Sequence, residues 1–600
     1  MTQEIRNIAI IAHVDHGKTT LVDGLLKAGG VFNDHEEVET CVMDSNDQEK
    51  ERGITIYAKN AAITYNDTKI NIVDTPGHAD FGSEVERVLK TVEATILVVD
   101  AYEGPMPQTK FVLKKSLEQG KKVLVVVNKI DKESARPTWV IDQIFDLFVK
   151  LGATDEQLDF PYMYAVAREG VAMKEVDDER KDITPLLDFI LEHVPEAPQN
   201  VEADFRMQPA TLSYDNFLGR IAVGRVHEGT LKNNQTVTIL TPTGARRTGK
   251  ISKLFTFKGM QRVPVEMVSA GDIVAIAGLG DVFVGETISN SPDATPLPAI
   301  DVDPPSLAMY FMVNDSPFAG REGKYVTSRQ IRDRLEKELE TNVGLHIDFE
   351  SGDGDSMKVL GRGEMHLAVL IETMRREGFE LQVSQPEVVF QEIDGQKCEP
   401  IENVVINVPE EISGKIIEMM SLRKGQMTNM QTENTITQLE FDIPMRGLLG
   451  IRSSFIILTK GEGTMFSSFS RMEPYMGTIE KRKVGSLISG ETGITTGYSL
   501  WKLQDRGPIF IGAALEVYEG MIIGEHNQGT DLTVNPIKPK QLTNVRSSGA
   551  DDAINLVPPV VVTLEKSLEY IKDDEYVEVT PKSIRLRKKF LTELERKRTK

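Results

Sequence analysis

Apolar residues in the first 130 positions gather in short runs, at Ile8 to Ile11, Ile70 to Val73, Ile96 to Val99 and Val123 to Val127, with helical patterns such as Thr20 to Leu26 between them. Strands alternating with helices predict a doubly wound parallel sheet. Pro195-Glu-Ala-Pro198 ends a helix and reads as a linker. From Gly219 the period changes to two: Gly219 to Gly229 and Gln235 to Leu240 alternate, and Pro242-Thr-Gly244 supplies a turn. Short strands with turns at intervals of about 8–12 residues predict a small β-barrel through about Ser291. Pro296-Leu-Pro298 and Pro304-Pro305 mark the next boundary. Beyond it come strand Leu307–Val313, a helix carrying Ile331, Leu335 and Leu339, strands near Leu345 and Met357–Leu360, and a helix with Leu367, Leu370 and Met374, which together give a split βαβ order. A second such unit begins at Pro400, with strand Ile401–Val408, helix Ile412–Arg423 and strands Thr428–Met430 and Thr435–Ile443. The Met and Ile stripes of these helices are read as core packing.

Composition narrows the class. At 600 residues, the chain should divide into roughly four or five domains of about 100–200 residues. Its 40% apolar and 27% charged content is that of a globular protein, and no apolar run approaches the roughly 18 residues of a membrane span. Met1-Thr-Gln-Glu-Ile-Arg carries no signal peptide, and two distant cysteines, Cys41 and Cys398, support neither a disulfide framework nor a zinc site, so a reducing cytoplasm is expected. A net charge of −22 argues against non-specific coating of nucleic acid while leaving room for local basic patches.

The first strand runs straight into candidate chemistry. In Asp15-His16-Gly17-Lys18-Thr19-Thr20 a triphosphate finds backbone N–H groups at a helix start, a lysine for the β- and γ-phosphates and a hydroxyl for Mg²⁺. Ala12 stands where the Walker pattern expects glycine, which is tolerable if that position needs no positive φ. Glu49 to Ile56 reads as a mobile charged loop with the Thr55 hydroxyl held at a defined place. Asp74 ends an apolar strand, where an Mg²⁺-directed carboxylate belongs, and the N–H of Gly77 follows at a turn suited to a γ-phosphate. Asn128-Lys129-Ile130-Asp131 decides the base: a fixed carboxylate at Asp131 accepts both N1–H and the exocyclic amine of guanine, and adenine offers no such pair of donors. The ordered set predicts a GTP-binding domain.

His13-Val14-Asp15-His16-Gly17-Lys18-Thr19, Arg52-Gly53-Ile54-Thr55 and Asp74-Thr75-Pro76-Gly77-His78 resemble the signature of the translational GTPases, relatives of elongation factors Tu and G. The resemblance implies that His78 orients the attacking water, that Val14 and Ile54 form an apolar gate beside it, and that Thr55 completes the catalytic set. Where the family usually has Ser-Ala, this chain has Val166-Ala167, so a contact to guanine O6 would rest on the Ala167 N–H. The barrel resembles domain II of these factors, and the two split βαβ units resemble the ferredoxin-like domains III and V of elongation factor G. Only about fifteen residues separate Gln385 from Ile401, which leaves no room for the domain that pushes tRNA there, so simple translocation is disfavoured.

Beyond about 481, Leu503-Gln-Asp-Arg-Gly507, Glu516-Val-Tyr-Glu-Gly520, Asn544-Val-Arg-Ser-Ser-Gly549 and Val577-Glu-Val-Thr-Pro581 resemble the C-terminal domain of the BipA (TypA) family. The expected architecture is a GTPase domain over 1–199, a β-barrel over 200–303, ferredoxin-like domains over 304–394 and 395–480, and a distinct C-terminal domain over 481–600. Lys538, Lys540 and Arg546 lie in a basic, glycine-containing loop suited to RNA phosphate. The resemblance implies a ribosome-stimulated GTPase with GTP and GDP as ligands and Mg²⁺ as cofactor. Ribosomal RNA and possible tRNA contacts, no membrane partner and a monomer off the ribosome complete the expectation, with a role in ribosome assembly or stress-adapted translation. A LepA-type remodelling GTPase is the nearest enzyme alternative, against which the C-terminal phrases speak. A non-catalytic GTP-dependent scaffold is the other, against which His78 and Thr55 speak. A chain ending near 481 is expected to fold and bind GTP.

Overall fold

The computed structural model describes residues 3–30, 47–300, 304–350, 355–433, 435–479, 482, 484–540 and 555–599. Two compact units divide the chain, Met1–Pro304 with Lys337–Gly344, and Pro305–Glu336 with Leu345–Lys600. In the first, β1 (Ile5–Ala12), α1 (Lys18–Ala28), α2 (Asp47–Arg52), β2 (Lys59–Tyr65), β3 (Thr68–Asp74), α3 (Gly82–Leu89), β4 (Ala94–Asp100), α4 (Pro107–Glu118), β5 (Lys122–Asn128), α5 (Pro137–Lys150), the short α6 (Asp155–Leu158), β6 (Tyr162–Val166), β7 (Val171–Met173) and α7 (Thr184–His193) follow one another. The sheet order is β2-β3-β1-β4-β5-β6-β7. Its centre is parallel, as expected, whereas the edge strands β2 and β7 run antiparallel to their neighbours.

The apolar runs are explained by burial on both faces of this sheet. Ile8, Ile10, Ile72, Ile96, Val98 and Leu124 face Leu21, Leu25, Leu186 and Ile190 of α1 and α7. Their neighbours Ala9, Ile11, Val73, Leu97, Val99 and Val125 face Val85, Leu113, Ile144 and Phe148 of α3, α4 and α5. Each such aliphatic side chain removed from water is worth about 1.5–3 kcal/mol.

Ten strands between Arg206 and Ser289 make the barrel, eight of them in one antiparallel sheet and two, Thr230–Lys232 and Met267–Ser269, in a separate ribbon. Alternation along its strands sends Met207, Ala222, Val226 and Ile276 into its own core. Ile221, Val223, Phe255, Phe257, Ile273 and Ala275 point the other way and join the core that holds α3, α4 and α5. A polar seam runs beside this shared core: Lys69 Nζ pairs with Asp272 at 2.7 Å, Asn7 donates to Glu93 Oε2 and Gly271 O at 2.9 Å, and Ala62 and Gly259 exchange backbone hydrogen bonds of 2.9 and 2.7 Å. The prolyl linker is fixed as well, since Ala197 is buried and its N–H donates to Ile5 O at 2.9 Å.

Among the described residues the second unit carries two large sheets and a two-stranded ribbon. Leu307–Met312, His346–Asp348, Ser356–Gly361, Leu381–Val383 and Glu387–Val388 form half of a ten-stranded sheet, and the other half comes from Gly485–Ser489, Met521–His526, Leu532–Val534, Glu575–Val579 and Ile584–Lys588. The halves join where Leu381–Val383 pairs antiparallel with Glu575–Val579, in the register Leu381 to Val579 and Val383 to Val577. The C-terminal segment therefore completes the sheet begun at 307, and adds a two-stranded ribbon of its own, Gly493–Ile494 with Glu516–Val517. Fully buried Glu578 locks this join, accepting hydrogen bonds from Asn314 (3.0 Å), Ser316 (3.0 Å), Tyr518 (2.8 Å) and Arg585 (2.9 Å). The other sheet, of five strands, contains Gln396–Pro409, Ile436–Pro444, Gln426–Glu433 and Thr464–Pro474, covered by helix Glu410–Leu422. Between 385 and 401 the chain makes the short strand Glu387–Val388 and a tight hairpin turn at Asp394-Gly395, both turn residues with positive φ (53° and 73°). Among the described residues no helix is long and apolar enough to cross a membrane.

Candidate guanine-nucleotide site

Parallel register brings the motif residues to one edge. Ile10 lies opposite Asp74, Ala12 opposite Val98, Asp100 opposite Asn128 and Asn128 opposite Ala165, so the loop after β1 and the ends of β3, β4, β5 and β6 gather at the carboxyl edge where open α/β sheets bind ligands.

The loop turns through Asp15 (φ 63°) and Gly17 (φ 93°), and Gly17 caps α1. A Cβ on Gly17 would lie 2.3 Å from Asn128 Nδ2, so both the left-handed φ and the close approach require glycine. Ala12 has no positive φ, which is why alanine serves where the Walker pattern has glycine. Lys18 Nζ lies 2.7 Å from Asp74 Oδ1, donates to Thr55 Oγ1 at 2.8 Å and also reaches Thr75 O. Asp74 and Thr55 are buried, Thr19 is half-buried in the first turn of α1 and Thr20 is exposed. Thr75 Oγ1 donates to Ile10 O at 2.9 Å and ties the segment to β1. A Cβ on Gly77 would lie 3.1 Å from Ala12 O.

The region read as a mobile loop contains helix α2, and Glu49 on that helix is one residue the sequence reading missed. It is 1% exposed, and its Oε1 accepts the N–H groups of Ile56 (2.9 Å) and Tyr57 (3.2 Å) while Oε2 pairs with Lys59. Thr55 is thereby held immediately before a pinned pair of amides. A buried carboxylate needs such partners, but nothing in the local spacing names them.

His78 is half-buried, and its Nδ1 accepts the Asp80 N–H at 3.2 Å while its ring edge meets Phe81 at 6.3 Å between centroids. In the neutral ring this leaves the proton on Nε2, a donor directed away from the Asp80 amide. Val14 and Ile54 are half-buried. His16 points inward: its Nδ1 accepts the Asp100 N–H at 3.3 Å and its Nε2 lies 3.3 Å from Glu103, whose carboxyl this hydrogen bond holds below its ordinary value.

At the base end, Asn128 donates from Nδ2 to His16 O (2.8 Å) and accepts the Ala167 N–H at Oδ1 (2.9 Å), binding three loops together. The Ala167 N–H expected to meet guanine O6 is therefore engaged by Asn128 in this structure. Lys129, in left-handed conformation (φ 62°), reaches Asp15 O and pairs with Asp100 at 2.9 Å. Burial alone would raise the Asp100 carboxyl, yet hydrogen bonds from Lys132, the Tyr102 N–H and Lys129 outweigh it and hold it at about 2. A carboxylate ending an apolar strand was the available signal for Asp100. Asp131 Oδ2 pairs with Arg168 at 2.9 Å, a partner that sequence reading did not foresee. Of the residues expected to meet RNA, Lys538 and Lys540 are exposed, and Arg546 lies outside the described residues.

Family models match along the chain in order: the elongation factor Tu GTP binding domain at 3–196, elongation factor Tu domain 2 at 219–289, the elongation factor G C-terminus at 396–483 and the TypA/BipA C-terminal domain at 484–593. The class is thus a multidomain P-loop GTPase of the elongation-factor type, an enzyme that binds and hydrolyses GTP. Curated relatives named large ribosomal subunit assembly factor BipA are similar end to end: that of Escherichia coli (strain K12) is 52% identical over 100% of this chain and 99% of its own, that of Synechocystis sp. 54% over 98% of each, and that of Haemophilus influenzae 53% over 99% and 97%. The chain belongs to the BipA family. A crystal structure of a Thermus thermophilus protein, 17% identical, shares the fold with a TM-score of 0.56 over 79% of this chain and 98% of that one.

Proposed function

We propose that this GTPase works on the ribosome, in the assembly of the large subunit, switching between a GTP form that binds and a GDP form that leaves. The observation that carries the reading is the convergence of Thr55 and Asp74 on the Lys18 ammonium, at 2.8 and 2.7 Å, at the carboxyl edge. Two hard oxygens, Thr55 Oγ1 and Asp74 Oδ1, converge there beside the Thr19 turn, a donor set that fits Mg²⁺ with phosphate oxygens completing it. The ion, when bound, would neutralise charge on the phosphates. Lys18 and the N–H groups from His16 to Thr20 hold the β- and γ-phosphates, and Gly77 meets the γ-phosphate. Asn128 and Lys129 hold the base pocket together, and Asp131 reads guanine. His78 places a water in line with the γ-phosphorus, beside Val14 and Ile54. Attack forms the new P–O bond, the bond to the bridging oxygen breaks onto GDP, and the water's proton leaves with phosphate.

No arginine finger is identified among the motif residues, so intrinsic turnover is slow and the ribosome completes the site, an effect worth about 10³–10⁵ in rate in comparable GTPases. Lys538 and Lys540, with Arg546, contact RNA. The relatives' name supports assembly over stress-adapted translation, and the protein acts in the cytoplasm as a monomer off the ribosome. Measuring hydrolysis with and without ribosomes tests this: His78→Ala should keep GTP affinity and lose stimulated turnover by about 100-fold or more, roughly 3 kcal/mol of transition-state stabilisation. Equal stimulated rates in both proteins would remove His78 from the mechanism.

A further inference from the structure

The chain has two tryptophans, and one of them, Trp501, is 42% exposed in the C-terminal segment. It lies on the helix Gly497–Leu503, one turn after Tyr498, with ring centroids 6.4 Å apart and planes tilted by only 34°. Lys502 Nζ stands 4.6 Å from the Tyr498 ring centroid. The helix is stapled to the basic segment: Thr496 Oγ1 donates to Lys538 O at 2.8 Å and Ser499 Oγ to Asn535 O at 2.7 Å. Its other side is held by Gln504, which donates to Asn555 O and accepts the Val557 N–H at 3.3 and 3.2 Å. Three ammonium groups act on a single phenol, since Tyr498 is held below its ordinary value first by its hydrogen bond with Lys502 and then by the charges of Lys502, Lys540 and Lys538.

A core-packing role would bury the Trp501 indole, and a solvated helix face would have no use for two adjoining aromatics. On a chain of net charge −22, three lysines around an exposed indole and a half-buried phenol call for a polyanion with flat, apolar rings. We propose that Tyr498 and Trp501 form a stacking platform for unpaired RNA bases, with Lys502, Lys538 and Lys540 holding the flanking phosphates. The proposal rests on the reading above that this segment contacts RNA, and adds the class of RNA: single-stranded nucleotides, whose faces are open, and not duplex, whose faces are covered.

The test is a titration of the full chain with a labelled six-nucleotide single-stranded oligoribonucleotide, read by anisotropy at several salt concentrations, against a duplex of the same composition. Trp501→Ala should weaken single-strand binding about ten-fold, and Trp501→Phe, which keeps a π-face, should restore most of it. Lys502→Gln and Lys538→Gln should each lower the salt slope by about 0.7. Equal loss in the Phe and Ala variants at an unchanged melting temperature, or tighter binding of duplex than of single strand, would overturn the proposal. So would a wild-type chain that ignores the oligonucleotide yet sediments with ribosomes in a Trp501-dependent way, which would make the patch a protein-docking face. None of these readouts uses hydrolysis, so loss of ribosome stimulation would count against the proposed function alone.

Discussion

Asp131 has one carboxylate and two candidates for it, the Arg168 guanidinium in the folded chain and the donors of guanine. Asp131→Asn removes the acceptor pair and presents an N–H, so GTP affinity should fall strongly while xanthosine triphosphate gains, a reversal that a nucleotide titration reads directly. Arg168 is 73% exposed along its side chain, and an exposed pair of this kind contributes about 0.2–1 kcal/mol. Arg168→Ala, which frees the Asp131 carboxylate, should tighten GTP by roughly 1.5- to 5-fold at low salt, with the difference fading as salt rises; weaker binding would show that Arg168 supports the base instead. Gly17, Lys18, Thr19 and Asn128 were legible in the sequence because fixed spacing at strand ends dictates their place. Arg168 and Glu49 were not, because each is defined by a partner that the fold alone brings near, whereas Asp100 carried a signal, a carboxylate ending an apolar strand, that went unused.

Among the elements, α2 does more than a connecting loop would. Glu49→Ala leaves the Ile56 and Tyr57 amides without their acceptor, at a cost of about 1–3 kcal/mol confined to that segment. Hydrogen exchange at those two amides should quicken by roughly 5- to 150-fold, while the centre of β1 stays protected; unchanged exchange would show that Glu49 does not hold the segment. The apolar runs of the parallel strands were readable because both faces of each strand are committed to a core, and the period of two in the barrel because each of its strands turns alternate residues into the barrel's own core. The join between Leu381–Val383 and Glu575–Val579 was not, since pairing across the chain leaves no local pattern. It changes the expectation for a chain ending near 481. The first unit of such a chain should fold and bind GTP, but the second loses the partner of Leu381–Val383 and the carboxylate of Glu578, leaving Asn314 and Ser316 short of an acceptor. Calorimetry should find one retained transition and one lost or strongly lowered, with aggregation through the open strand edge; two normal transitions would show that the join contributes little.

Over the whole molecule, the GTPase sheet and the barrel answer to one core, so they should melt as one body within the first unit. Acid probes that body. His227, half-buried on strand Gly219–Glu228, is pushed down to about 4 by burial and then by Arg225, Arg206 and Lys121, against an ordinary 6.5. The unfolded chain therefore binds the proton first, and this part of the stability is complete above about pH 6.5 and lost as pH falls toward 4, up to ~3 kcal/mol. Glu93, which burial raises, works in the opposite sense as pH falls toward its ordinary 4.5. Urea midpoints should fall between pH 6.5 and 5, and His227→Gln should flatten that slope; an unaltered slope would assign the acid sensitivity elsewhere. The join at Glu575–Val579 also has a consequence in time. When the ribosome has made residue 383, about 200 residues remain before the pairing strand emerges, roughly 10–40 s at ordinary synthesis rates. The half-sheet begun at Leu307 must wait through that interval with its edge open, whereas everything the GTPase sheet needs has already left the exit tunnel. A pause anywhere between 400 and 560 lengthens the exposure, so this chain's own synthesis is most vulnerable to misfolding in a stretch that carries none of its catalytic residues.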